Sequence, residues 1–180
     1  MNQKIDKDII HKELDLIQDV VKRMTNNSFL AKGWLITLLG IILALTKDNL
    51  LNTEGTFTLM STYIYALLCL PILMFWYLDA YFLWQERFYR HLYNWVIVER
   101  QKGSEEQLYA LNPHVRFKDK TNVKSIWKSI TSETLMVFYS LPLILCATML
   151  FFVRTKSYLP FIIGSALYIF IVLYSSFNKK

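Results

Sequence analysis

Four apolar runs organise the chain: Phe29–Thr46, Phe57–Leu78, Thr134–Val153 and Tyr158–Phe177. Each carries few or no charges over about 18 or more residues. At about 1.5 Å of rise per residue, each reaches across the roughly 30 Å hydrocarbon layer of a bilayer. Buried helices of soluble proteins are usually shorter. The pattern therefore predicts an all-α, four-span helical membrane protein. The first run does not read as a signal peptide, because Asp6, Asp8, Glu13, Asp15 and Asp19 precede it and no small-residue cleavage pattern follows.

Outside the runs the periodicity changes. Over residues 3–24, Ile10, Leu14, Ile17, Val21 and Met24 recur at spacings of four and three, and Ile9, Leu16 and Val20 widen that stripe. This predicts an amphipathic N-terminal helix with a short heptad seam. Ile10, Leu14, Ile17 and Val21 are the candidate oligomer seam. The alternative is a helix lying on the protein's own cytosolic face or on the bilayer. Thr25-Asn26-Asn27-Ser28 reads as a break that caps the first span.

The second run behaves differently from the others. It passes into Asp79, Glu86, Arg87, Arg90 and His91 with no Gly or Pro before Gly103. Leu78, Phe82, Gln85, Tyr89, Leu92 and Val96 keep the four–three spacing. One long helix is expected, projecting about 30 Å beyond the span as a cytosolic stalk. Residues 103–122 are looser. Val123, Ile126, Trp127 and Ile130 then alternate with polar residues, as in an interfacial helix. Spans three and four form a hairpin across the tight connection Arg154–Ser157. The expected segments are 1–27 (amphipathic helix), 28–102 (spans one and two with the stalk), 103–133 (connection with interfacial helix) and 134–180 (hairpin and basic tail).

Charge sets the expected orientation. Nearly all Lys and Arg lie before the first span, between spans two and three, or at the C-terminus; only Lys47, Arg154 and Lys156 lie on the opposite side. The positive-inside rule places both termini and the long connection in the cytoplasm of a bacterial inner membrane. The net charge of +6 suits contact with anionic lipid. No nucleic-acid reader motif is present, so nucleic acid is not an expected partner.

Two charges fall at awkward depths. Gly33–Thr46 alone is too short to span, so Lys32 sits at the edge of the apolar layer, and Asp79 closes the second span on the same side. The expectation is a Lys32–Asp79 ion pair, within one subunit or across a boundary. The alternative is that Lys32 reaches the headgroups and Asp79 is hydrated. Glu86, Arg87 and Arg90 are the expected stalk charge network, with Glu86 and Arg90 in the favourable i,i+4 order.

Other chemistry is sparse. Cys69 and Cys146 lie inside apolar runs and suggest neither a disulfide framework nor a metal site. No His pair has ligand spacing, and no nucleophile–base arrangement or phosphate-binding loop is visible. No catalytic residue, cofactor or metal is expected, and the chain does not read as an enzyme.

Asn27-Ser28-Phe29, Lys32-Gly33-Trp34 and Thr37, followed by Phe75-Trp76, Leu78-Asp79, Tyr81, Glu86-Arg87, Arg90 and Leu92-Tyr93, resemble two signatures of the RipA-type family of small octameric bacterial membrane proteins associated with anti-phage defence. The resemblance covers roughly residues 27–96. It implies a homo-oligomer of eight subunits in the cytoplasmic membrane, a defence role, and importance for Lys32, Asp79, Glu86 and Arg87. The function then expected is an effector or sensor-effector that perturbs the membrane when a cytosolic protein triggers it. The alternatives are a non-conducting scaffold that anchors a cytosolic partner, or a small channel or transporter.

Overall fold

The computed structural model describes residues 6–50, 59–105, 108–113 and 125–177. Among these, 89% are helical and none forms a strand, so the class is all-α. The helices are α1 (Lys7–Leu50), α2 (Leu59–Gln101), α3 (Ile126–Ile130), α4 (Glu133–Thr155) and α5 (Leu159–Phe177). Four of them are long and apolar enough to cross a membrane: α1, α2, α4 and α5. The chain is a multi-pass membrane protein. The first residues of the amphipathic helix, most of the connection after Lys47, residues 114–124 with Val123 and Lys124, and the basic end Lys179-Lys180 lie outside the described residues.

α1 corrects one expectation. It is a single helix of 44 residues that passes through Thr25–Ser28 without interruption. The reason is local: the Thr25 hydroxyl donates to the Val21 carbonyl (3.0 Å), one turn back, instead of capping a new helix. Four polar residues do not outweigh an amphipathic stripe on one side and an apolar run on the other. At about 66 Å, α1 is roughly twice as long as a bilayer core is thick. α2 is likewise one helix of 43 residues and continues through Pro71. Gly103, in the left-handed region at φ 77°, closes the turn after it.

The described chain forms two compact units, and each long helix contributes a part to both. One unit comprises residues up to 29 and 80–129. Its core is Ile17, Phe88, Leu92 and Val96, with Leu14, Trp84, Tyr89 and Leu111 packed around it. The other comprises residues 30–79 and from 130 onward. There Ile64, Tyr65 and Leu68 form a buried cluster with Leu39, Ile42, Cys146 and Met149 against it. α4 and α5 form an antiparallel hairpin, as the spacing predicts. Lys156, left-handed at φ 52°, ends α4 with its N–H on the Phe152 carbonyl (2.7 Å). The hairpin closes tightly at Gly164, where an added Cβ would overlap Thr148 Cγ2. Small residues permit such approach between lipid-buried helices. Cys69 and Cys146 are free thiols.

Candidate functional site: a buried polar cluster among the spans

Among the described residues of the span unit, one charged side chain is fully buried. Asp79, on α2, is 0% exposed. Lys32, on α1, forms an ion pair with its Oδ2. From α4, the Tyr139 hydroxyl donates to the same oxygen (3.0 Å). Three helices thus converge on one carboxylate. The Lys32 side chain keeps 23% of its surface exposed, so the pair is buried from the Asp79 side.

Aromatic rings hold this cluster in place. Tyr139 is fully buried and stacks on Trp76, with centroids 5.9 Å apart and planes within 4°. The Trp76 indole N–H donates to the Ile130 carbonyl (3.1 Å), which fixes the ring that fixes the tyrosine. The Lys32 ammonium also lies 5.9 Å from the centroid of Phe138, within cation–π range. A carboxylate in this setting is expensive without partners. The cation and the phenol stabilise it together, and losing either leaves a charge in low dielectric. Chemically the cluster is a charge lock among three spans.

The other unit holds a second lock, which sequence reading missed. Arg100 grips Glu13 through two parallel bonds, Nε to Oε2 (2.8 Å) and Nη2 to Oε1 (2.9 Å), with both side chains almost fully buried. This is the bidentate geometry that makes such pairs strong and directional. Oε1 also accepts the backbone N–H of Tyr109 (3.0 Å), while Arg100 Nη1 donates to the Ser104 carbonyl. The pair therefore ties Ser104 and Tyr109 to both helices. The strained left-handed backbone of Tyr109, at φ 59°, lies at this attachment.

Two residues of the candidate oligomer seam, Leu14 and Ile17, pack within the chain. Ile17 is buried against Phe88, Leu92 and Val96, and Leu14 packs beside it. Ile10 and Val21 are half-buried. Leu14 and Ile17 meet a matching apolar stripe of α2 at four-residue spacing, while Ile10 and Val21 keep part of their surface open. Gln18 donates to the Tyr93 hydroxyl (3.0 Å) across the same pair of helices.

The expected stalk network also divides. Arg90 pairs with Glu86 (2.7 Å), as the i,i+4 spacing predicts. Arg87 points elsewhere, to the Ser129 hydroxyl (3.1 Å) and the Lys128 carbonyl of α3. Arg87 lies about 100° round the helix from Glu86, so the two neighbours in sequence do not face each other, and Arg87 turns to α3 instead. On α3, Trp127 is 72% exposed while Ser129 is buried.

Among the described residues, no three His, Cys, Asp or Glu side chains stand together as a metal site would require. No protein-family model, no curated protein and no solved structure matches this chain.

Proposed function

We propose that the chain is a subunit of a homo-oligomer, of the octameric kind, in the bacterial cytoplasmic membrane, with both termini on the cytoplasmic side. In this reading it is a defence-associated effector. A protein trigger in the cytosol acts on the charged, non-spanning unit, the spans rearrange, and the membrane barrier is compromised. The observation that carries the reading is the Lys32–Asp79–Tyr139 cluster. An ionisable pair buried among spans marks a functional position by default, and a lock between three helices is what a triggered rearrangement would have to open. Sparse packing supports the oligomer: only 6–22% of the most apolar window of each span is buried within one chain. The signature resemblance over residues 27–96 supports the defence context.

The test is dye release from phosphatidylethanolamine–phosphatidylglycerol vesicles holding the full chain, with stoichiometry measured on the same preparation. The unaltered chain is expected to assemble and stay closed without a trigger, and Asp79→Asn is expected to leak. If Asp79→Asn and Lys32→Met both assemble normally and both stay tight, the cluster is no gate. A passive scaffold would then be the better account.

A further inference from the structure

α4 ends at Thr155 and the chain returns as α5, so the first turn of α4 and the last turn of α5 share one end of the hairpin. Between these helices and α1 lies a cleft of about 760 Å³, within the usual range for ligand sites. Its body is apolar, lined by Leu39, Leu141 and Val172 among others. Most of its polar groups, Glu133, Thr134, Ser175 and Ser176, belong to that one end of the hairpin, and Tyr168 lines the middle of its length. Water finds few partners along the apolar body, where Tyr168 is the polar side chain that lines it. A polar solute would lose its hydration there without compensation. A slot with an apolar length and a polar mouth fits an amphiphile. The mouth carries a carboxylate, which attracts an ammonium group and repels a headgroup whose only charge is a phosphate.

We propose that this cleft binds one acyl chain of a phospholipid with an ammonium-bearing headgroup, the ammonium resting against Glu133. The site also touches the charge lock. Phe138 lines the cleft, and the Lys32 ammonium lies 5.9 Å from the centre of its ring. A bound acyl chain holds that ring in position and so favours the closed pair with Asp79. The effect on the pair rests on the function proposed above; the binding itself requires only that the spans lie in lipid.

The experiment is native mass spectrometry of the full chain in mild detergent. The two probes have identical tails: palmitoyl-oleoyl phosphatidylethanolamine and palmitoyl-oleoyl phosphatidylglycerol. One ethanolamine lipid per chain is expected to survive dissociation, with about fivefold weaker retention of the glycerol lipid, the discrimination a partly exposed charge contact gives. Glu133→Gln is expected to bring the two lipids to equal retention without abolishing it. Leu141→Trp is expected to abolish retention of both. Leu141 is 42% exposed, so the larger ring can enter the cleft without displacing the buried core. Equal retention by the unaltered chain, an unchanged ratio in Glu133→Gln, or full retention in Leu141→Trp overturns the proposal. So does an unaltered chain that holds no lipid and an oligomer that falls apart in Leu141→Trp, because a second copy then fills the cleft. A chain that leaks in vesicles yet holds no ethanolamine lipid keeps its function and loses this site.

Discussion

Replacing Glu13 by Leu removes one half of the almost fully buried Glu13–Arg100 pair. The guanidinium then keeps its bond to the Ser104 carbonyl but loses two charge-assisted bonds and its counter-charge. Breaking a buried pair from one side costs about 3–5 kcal/mol, mostly because an uncompensated charge stays behind. The backbone N–H of Tyr109 loses its acceptor at the same time. At about 1.4 kcal/mol per factor of ten, the local opening equilibrium around residues 104–109 is expected to rise by at least about 100-fold. Hydrogen exchange of the full chain in detergent reads this directly, at the Tyr109 amide and its neighbours. Arg100→Met alone should produce a comparable loss, from the stranded carboxylate. The pair Glu13→Leu with Arg100→Met is expected to recover most of the protection near Ile17 and Val96, because apolar side chains of similar volume replace a buried ion pair at little cost. The Tyr109 amide should stay fast in the double variant, since nothing accepts it. If the single variants exchange like the unaltered chain, or the double variant is as open as either, the lock does not hold this segment.

Three further outcomes follow from the geometry. Gly164→Ala should lower the melting temperature of the detergent-solubilised chain, with a cost of about 1–3 kcal/mol for overpacking, because the added Cβ meets Thr148 Cγ2 and Thr148 is held by its bond to the Leu145 carbonyl (3.0 Å). Adding Thr148→Ala should recover most of that loss, and no recovery would point to a cause other than this contact. Asp79→Asn and Lys32→Met should each lower the melting temperature of the detergent-solubilised chain, with a cost toward the lower end of the roughly 3–5 kcal/mol for broken buried pairs in Asp79→Asn, since Lys32 is partly exposed; the double change should be milder than Lys32→Met alone, and an equal or larger loss would refute the pairing. Arg87→Ala should speed exchange of the α3 amides by about fivefold, the loss of one net hydrogen bond, and unchanged exchange there would show that the Nη1 contacts with Ser129 and Lys128 do not hold this helix.

Much of the fold is written in period and length. The four spans follow from uninterrupted apolar runs, and the length of α2 from the absence of any breaker before Gly103. The meeting of Lys32 with Asp79 follows from depth, since both sit at the same edge of their runs. The Glu13–Arg100 lock was harder to see, because charged residues on an amphipathic helix usually face water. The signal was nevertheless present: Glu13 lies three residues after Ile10 and four before Ile17, on the apolar stripe, and Arg100 extends Phe88, Leu92 and Val96 at four-residue spacing. A charge on each of two facing apolar stripes is a pair waiting to be matched. Tyr139 offered no such clue, since a tyrosine in an apolar run reads equally well as packing, and only the convergence of three helices aims its hydroxyl at Asp79. The break expected at Thr25–Ser28 failed because capping residues stop a helix only when the flanking segments have no reason to continue it.

The 87 residues that separate Glu13 from Arg100 have a consequence for biosynthesis. At about 5–20 residues per second, the ribosome needs roughly 4–17 s to make Arg100 after Glu13. Throughout that delay the acid has no guanidinium to meet, while two spans are already being threaded into lipid. A newly made N-terminal segment must therefore wait in water, hydrated and exposed to proteases and chaperones, until its distant counterpart arrives.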